Sequence, residues 1–318
     1  MKTIVTGGTG FLGRAVVESL EYLGASPVAL GRSDGDLKDL ATARRLVADA
    51  DLVIHLAATV GGVGFLKSNK TSAYYENLTL GFNVIEACRS GDVRRLVLIG
   101  TPCSYPAESP LPLQEGAIFD GLPVGDTGPY GLAKASVSHL ANHLLLPCGK
   151  DVATFIPANL YGPRDNFEPA RSHVVASLVR KAVVNSRQGT GYFEVWGDGS
   201  ATRDFLHVDD AAETIAQAVL SETPFHGETF NLASGEETSM KVLSEIIAEA
   251  VDPAMTVVFD PEKPCGVTRR MMSIDKARVR LGFRPRIALS DGIRDTVRWI
   301  ERTDVWKSWL PARVRKAA

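Results

Sequence analysis

Cysteine is scarce and scattered in this chain of 318 residues: its four cysteines, Cys88, Cys103, Cys148 and Cys265, form no Cys-x-x-Cys pair. That spacing argues against a disulfide framework and against zinc, and it leaves Cys88, Cys148 and Cys265 as structural or incidental thiols. An excess of one charge is missing too. The 35 Lys and Arg residues nearly balance the 37 Asp and Glu residues, for a net charge of −2, so nucleic acid is not an expected partner. The basic tail Arg313 to Lys316 is too short to change this and reads as a solvated end. No apolar run is long enough to cross a bilayer, so no membrane partner is expected either. Met1-Lys2 leads directly into a strand-like segment with no signal-peptide pattern, and the expected location is the cytoplasm. Internal repeats and low-complexity stretches are lacking, and the length suits one large domain or two modest ones.

What is present begins at the amino end. Lys2 to Thr6 reads as a short buried strand, runs into Gly7-x-x-Gly10-x-x-Gly13, and gives way to helical periodicity from Arg14 to Leu23. Strand, glycine turn and helix in this order make a dinucleotide site. The glycines let the backbone turn sharply and approach a pyrophosphate, whose charge sits against the free N–H groups and positive dipole end of the helix. The second strand, Pro27 to Leu30, ends in Gly31-Arg32-Ser33, where an NAD site usually carries an Asp or Glu bonded to the ribose 2′-OH. A guanidinium and a hydroxyl suit a 2′-phosphate, with no carboxylate at that strand end to repel one, so NADP is the expected cofactor.

Strand and helix patterns alternate through the first half. Leu52 to Leu56, Leu96 to Ile99 and Val152 to Ile156 read as buried strands, separated by helical stretches at Ala73 to Ser90 and Tyr130 to Leu146. The expected fold is α/β, a doubly wound parallel sheet of the Rossmann type with a smaller mixed α/β substrate-binding lobe. Beyond Asn159 the chain turns to loops rich in Pro, Gly and Arg, then to a helix from Ser172 to about Asn185. A helix at Asp209 to Leu220 and a short strand at Thr229 to Asn231 are expected to return to the first domain. The cofactor domain then takes residues 1–158 and about 205–233, and the substrate lobe residues 159–204 and 234–318.

The chemistry concentrates in Thr101-Pro102-Cys103-Ser104-Tyr105-Pro106 and in Tyr130-x-x-x-Lys134. A Tyr and a Lys four residues apart share a helix face, so the ammonium is expected to hold down the phenol's pKa and ready it for proton transfer in alcohol/ketone chemistry. Cys103 adds a second acid/base, hence a second proton-transfer step, and the simplest account is a sugar ketone that is epimerised and then reduced. Cys is among the most buried residue types. Yet Cys103 lies just past a parallel strand's carboxyl end, which faces the ligand crevice. A ketone acidifies the hydrogens on its neighbouring carbons, so inversion at such a carbon needs a base and an acid on opposite faces, and Cys and His can fill both roles. His173, following Arg171-Ser172 at an expected helix start, is placed for a cleft. His55 reads as support for the turn at Ala57-Ala58. His139 and His143 sit one helical turn apart without a third ligand and read as an outer helix face, so no metal is expected.

These segments resemble the extended short-chain dehydrogenase/reductases, and within them the GDP-L-fucose synthase branch of 3,5-epimerase-4-reductases. The likeness covers nearly the whole chain. TGGTGFLG (Thr6 to Gly13) and YGLAK (Tyr130 to Lys134) mark the wider family. TPCSYP (Thr101 to Pro106), the SHV within NLYGPRDNFEPARSHV (Asn159 to Val174) and the Val-Gly-Gly of HLAATVGG (His55 to Gly62) are specific to the branch, and WGDGSATRDFLHVDD (Trp196 to Asp210) is shared with it. The resemblance implies that Tyr130 gives the proton to the C4 oxygen. Lys134 would tune it and hold the nicotinamide ribose, Thr101 would steady substrate and Tyr130, and Cys103 with His173 would form the epimerisation pair. For NADP binding it implies Gly7, Thr9, Gly10, Phe11, Leu12, Gly13 and Arg32 at the first two strands. Farther along it implies Leu56, Ala57, Ala58, Ile99, Gly100, Tyr130, Lys134, Pro157, Asn159, Leu160 and His173. For a nucleotide-diphosphate sugar it implies Cys103, Asn159, Lys181, Trp196 and Arg203, the cations clamping the diphosphate and the indole offering an apolar face. The chain departs from the family at Pro102, where Ser is usual, and at Ser273, where an Asp contacts the nucleotide; another nucleotide, or a heptose for the deoxyhexose, stays open. A 4-ketoreductase, a C3/C5 epimerase or a 4-epimerase of the same fold is the alternative. A dehydratase would carry Asp-Glu where Pro102-Cys103 stands, and a non-catalytic dinucleotide sensor would need none of these groups. The two long helices carry more apolar residues (Leu78, Phe82, Ile85, Leu140, Leu144, Leu145) than one sheet-facing stripe needs, so a homodimer through a four-helix bundle is expected.

Overall fold

The computed structural model describes residues 1–263 and 266–310. Cys265 and the Arg313 to Lys316 tail lie outside the described residues. The chain opens with β1 (Thr3–Thr6), α1 (Phe11–Tyr22), β2 (Val28–Leu30), α2 (Leu40–Val47), β3 (Leu52–His55), α3 (Val63–Ser68), α4 (Lys70–Ser90), β4 (Arg95–Ile99), α5 (Gly128–Leu145) and β5 (Asp151–Pro157). It continues with β6 (Asn159–Tyr161), α6 (Val174–Arg187), β7 (Tyr192–Trp196), β8 (Thr202–Arg203), β9 (Phe205–His207), α7 (Val208–Leu220) and β10 (Glu228–Leu232). The last elements are β11 (Thr238–Ser239), α8 (Met240–Val251), β12 (Thr256–Asp260), β13 (Arg269–Arg270), α9 (Asp275–Leu281) and α10 (Leu289–Thr303).

Six strands form one sheet in the order β10-β5-β4-β3-β1-β2, and every neighbouring pair is parallel. Its central strands are runs such as Leu52-Val53-Ile54 and Leu96-Val97-Leu98, wholly buried, as strands covered on both faces must be. Helices α1 and α7 pack together on one face, and α2, α4 and α5 on the other. This is the doubly wound Rossmann arrangement. The strand order reverses between β1 and β3, so a crevice opens at their carboxyl ends.

The helix starts are set by local chemistry. Gly10 is the N-cap of α1, which begins at Phe11 rather than at Arg14, because the glycine turn leads straight into the first helical turn. Helix α2, not expected from periodicity, is started by Asp39, whose carboxylate accepts from Thr42 N at 2.8 Å. At only eight residues, its stripe of Ala43 and Val47 is too short to stand out.

Three smaller sheets lie outside the large one: β11-β8-β13, β12-β7 and β6-β9. Helices α6, α8 and α10 pack around their own apolar cluster, which includes Val179, Phe193, Leu243, Ile247, Ile293 and Ile300. Strand β6 follows β5 after one residue, so residues at the end of β5 stand where this second cluster meets the large sheet.

The amino edge of the large sheet is fastened by one arginine. Arg95 Nε donates to Asp151 Oδ2 at 2.8 Å, while its terminal nitrogens donate to the carbonyls of Val219, Ser221 and Thr223. Both side chains are 15% exposed. Replacing Arg95 by Met removes the donor to Asp151 Oδ2 and to three carbonyls, and should cost roughly 2–3 kcal/mol in chemical denaturation. NADPH affinity should stay within about twofold, because ligands bind at the opposite edge of such a sheet; a calorimetric titration of the variant checks this.

Candidate active site

At the carboxyl edge three backbones meet. Gly7 has φ +70°, and a Cβ there would stand 2.7 Å from Ala57 N. A Cβ at Gly13 would overlap the Gly7 carbonyl oxygen. Only glycine lets the turn after β1, the start of α1 and the loop after β3 come this close. No side chain caps α1, so its first N–H groups remain available to an anion. Beneath the turn, the Thr6 hydroxyl and His55 Nδ1 lie 2.8 Å apart in the buried interior. Burial, and then the charge of Lys134, push the His55 imidazole down to about 3. It therefore stays neutral and braces β1 against β3.

Sequence reasoning missed Asn77. Its side chain, buried on α4, accepts from Thr59 N at 3.1 Å and donates to Thr59 O at 2.8 Å, while the Thr59 hydroxyl donates to Glu76 at 2.6 Å. These bonds fix the loop that carries Leu56, Ala57 and Ala58. A polar residue midway between Ala73 and Gly81, on the buried stripe, was the available signal.

The end of β2 requires a correction. Arg32 is exposed beside the crevice, but a carboxylate does stand at this strand end: Asp34 Oδ2 accepts from Gly31 N at 2.7 Å. Asp three residues on closes a tight turn by bonding the backbone, which the strand-end pattern alone does not reveal. Arg45 Nη2 also reaches the Asp34 carbonyl, at 3.3 Å.

Strand β4 delivers Thr101 and a short 3-10 turn, Pro102–Ser104. Thr101 Oγ1 accepts from Cys103 N at 3.2 Å. Pro102 takes the first position of the turn, where its missing N–H costs nothing, so this departure from Ser fits the loop. The turn is clamped to α5: Ser104 Oγ donates to Gly131 O at 2.9 Å, and a Cβ at Gly131 would overlap the Cys103 carbonyl. Tyr130 is thereby held beside the turn, its phenol hydrogen-bonded to Thr101. Burial pushes the Tyr130 phenol up, the Cys103 sulfur adds to this, and the Thr101 bond offsets part. Burial pushes Lys134 down to about 8. The expectation that the ammonium holds the phenol down is therefore not met: burial outweighs it, and the lysine's charge is felt at His55.

His173 is the N-cap residue of α6. The residue is exposed, yet its surroundings desolvate the imidazole enough to push it below its ordinary range. The loop carrying Gly61 and Gly62 docks on this segment, with Gly62 N donating to Arg171 O at 2.9 Å. The Arg171 guanidinium lies over the Phe65 ring at 4.6 Å, and Phe65 and Cys103 pack on the cluster of Leu66, Ala73 and Tyr130. One small apolar cluster thus joins the segments of His173, Cys103 and Tyr130.

On the outer side, Lys181 Nζ lies 5.5 Å from the centroid of the half-exposed Trp196 ring and donates to Glu194 O at 3.1 Å. Asn159 Nδ2 is taken by the Asp204 carbonyl at 3.0 Å. Arg203 stands on β8 in register with Arg270 of β13, and Arg270 Nη1 reaches Cys103 Sγ at 3.9 Å, a contact that no motif announced. The Ser273 hydroxyl donates to Asp275 at 3.1 Å. Leu56 to Ala58, Ile99 and Gly100, and Pro157 fall at the ends of β3, β4 and β5, and Asn159 and Leu160 begin β6. On α5, the His139 ring lies tilted between those of His143, 4.2 Å away, and Phe119, 5.2 Å away. Among the described residues no group of three His, Cys, Asp or Glu side chains is placed to hold a metal ion, and no helix is long and apolar enough to cross a membrane.

Known proteins resemble this chain in sequence and fold. Residues 3–233 match the model of the NAD dependent epimerase/dehydratase family. A putative GDP-L-fucose synthase 2 of Oryza sativa subsp. japonica is 36% identical over 307 residues, covering 95% of this chain and 87% of that protein. The GDP-L-fucose synthase of Escherichia coli K12 is 30% identical over 94% of this chain and 96% of its own length. Among solved structures, a GDP-L-fucose synthetase of Naegleria fowleri bound to NADP superposes with a TM-score of 0.85 at 28% identity, covering 95% of this chain and 93% of that one. The chain belongs to the NAD dependent epimerase/dehydratase family, the extended short-chain dehydrogenase/reductases.

Proposed function

We propose that the protein is an NADPH-dependent epimerase/reductase of a GDP-linked 4-keto-6-deoxy sugar, inverting C3 and C5 and then reducing C4. The observation that carries this reading is the clamp at Gly131, which sets a thiol beside a buried phenol whose hydroxyl is bonded to Thr101. A plain reductase has no use for that thiol. The relatives named for GDP-L-fucose synthesis support the nucleotide and the sugar class.

The residues fit the cofactor. The uncapped start of α1 with Gly7, Thr9, Gly10, Phe11, Leu12 and Gly13 suits the pyrophosphate, and Arg32 suits the 2′-phosphate. Leu56, Ala57, Ala58, Ile99, Gly100, Pro157, Asn159 and Leu160 line the sheet edge along which the dinucleotide lies. NADPH, when bound, supplies the hydride for C4. Tyr130, held protonated by burial, gives its proton to the C4 oxygen, and Thr101 orients that phenol. Lys134 holds the nicotinamide ribose. Cys103 and His173 move the protons at C3 and C5 from opposite faces of the ring. Lys181, Trp196, Arg203 and Asn159 hold the nucleotide and diphosphate. In this reading residues 1–158 and about 205–233 carry the cofactor, and 159–204 with 234 onward carry the sugar nucleotide. Free thiols at Cys88, Cys103 and Cys148 suit the reducing cytoplasm.

The protein also acts as a homodimer in this proposal, through α4 and α5. Their outer surfaces expose Tyr75 at 66%, Phe82 at 40% and Leu144 at 37%, whereas Ile85 and Leu145 turn into the core. Pairing these faces across a two-fold axis covers the exposed apolar groups.

The division of labour is tested by NMR in D2O with GDP-4-keto-6-deoxymannose. Cys103→Ser should reduce deuterium uptake at C3 and C5 by about 10² to 10⁴-fold while slow reduction yields an unepimerised sugar, and His173→Gln should impair the same exchange. Tyr130→Phe should stop reduction and leave exchange running. Undiminished exchange in Cys103→Ser would sink the epimerase half of the reading.

For the cofactor, NADPH should be preferred over NADH, and Arg32→Asp should weaken or reverse the preference by roughly ten- to a hundredfold, the worth of one charge-assisted contact. Equal use of both cofactors by the unaltered protein counts against it.

The dimer is read by light scattering at micromolar protein. Phe82→Glu should shift the mass toward that of a single chain without lowering NADPH affinity; a single-chain mass in the unaltered protein overturns the interface.

A further inference from the structure

Arg270 donates toward the Cys103 sulfur from a strand remote in sequence, at 3.9 Å. Its place is fixed from two sides. Strand β13 runs parallel to β8 with Arg269 against Thr202 and Arg270 against Arg203. Successive side chains on a strand alternate between faces, so Arg269 turns outward and grips Glu237 with two bonds of 2.6 and 2.7 Å, and Arg270 turns inward. Just beyond, the chain is tied to the segment that follows the thiol turn: Leu113 N donates to Met271 O at 2.8 Å, and Ser273 N donates to Leu113 O at 2.9 Å. Among the described residues the Cys103 sulfur is the side-chain partner of Arg270, and no carboxylate forms an ion pair with it.

We propose that Arg270 is a positioning residue for the epimerisation: it fixes the Cys103 sulfur and favours the thiolate, the form able to take a proton from carbon. This rests on the reading of Cys103 as a proton-transfer thiol. A guanidinium stays charged at every working pH and attracts a thiolate far more than a thiol. In the step it serves, the proton passes from the sugar carbon to sulfur and the carbon's electron pair delocalises onto the 4-keto oxygen, so no outside reactant is needed. A carboxylate beside Arg270 would compete for it; instead the arginine is delivered to the sulfur.

Iodoacetamide labelling followed by peptide mapping reads Cys103 separately from the exposed Cys148. In Arg270→Gln, the Cys103 labelling rate at about pH 7 divided by that at about pH 10 should fall about tenfold, since an opposite charge at this range favours the ionised form. Arg270→Lys, which keeps the charge, should retain most of the ratio. In D2O with GDP-4-keto-6-deoxymannose, Arg270→Gln should slow exchange at C3 and C5 about tenfold more than it slows reduction. An unchanged labelling ratio in both variants overturns the proposal, because a merely structural arginine would alter access equally at the two pH values. If Cys103→Ser leaves carbon exchange intact, the reading of Cys103 fails, and the labelling ratio still decides separately whether Arg270 favours the thiolate.

Discussion

The approach of α5 to the turn that ends β4 decides what chemistry this fold can hold. Gly131 has no room for a side chain because the Cys103 carbonyl lies where its Cβ would stand, and the Ser104 hydroxyl bonds the same residue's carbonyl. Tyr130 precedes that glycine and Lys134 lies one helical turn beyond it, so a single backbone contact sets thiol, phenol and ammonium relative to one another. The sheet supplies the other half of the geometry. Parallel pairing of β1, β3, β4 and β5 brings the segments at Gly7, Leu56, Thr101 and Pro157 to one edge, though they are far apart in the chain.

Burial governs the charges in this region more than pairwise attraction does. Lys134 is pushed down by desolvation, with no carboxylate among the described residues to offset it. Tyr130 is pushed up for the same reason, and the nearby sulfur works in the same direction. A carboxylate placed to stabilise the ammonium would push the phenol further up and repel an anionic cofactor. The uncompensated lysine is therefore consistent with a site shaped for a charged ligand, whose groups complete the electrostatics.

Much of the fold was legible in the sequence because its strongest signals are local. The glycine turn between strand and helix, the Val/Ile/Leu runs of β3 and β4, and the Tyr130 to Lys134 spacing each declare themselves within a few residues, and the TPCSYP and SHV segments narrowed the chemistry. What stayed hidden depends on packing or on strand register. Asn77 looks like any helical polar residue until α4 is laid on the sheet. Asp34 looks like a loop carboxylate until its turn closes on Gly31. Arg270 looks like half of a surface Arg-Arg pair, and only its alternation with Arg269 and its pairing with β8 show that it faces the thiol. Lys134 was misjudged in its effect on Tyr130 because spacing gives proximity but not dielectric.

In the proposed reading the two halves of the site are supplied by different stretches of chain. Groups that serve hydride and proton transfer at C4 come from the ends of β1 to β5 and from α5. Groups that meet the sugar nucleotide come from α6, β7, β8 and the segment around β13. Two members of the second set, Arg203 and Arg270, sit on strands of two residues each, held by few backbone bonds. Such short strands can shift register or sequence without disturbing the large sheet, because none of its ladder bonds run through them. The Ser273 hydroxyl bonded to Asp275 lies in the same stretch, three residues past β13. The large sheet can therefore hold Tyr130, Lys134 and Thr101 in place whatever the segments around β8 and β13 do.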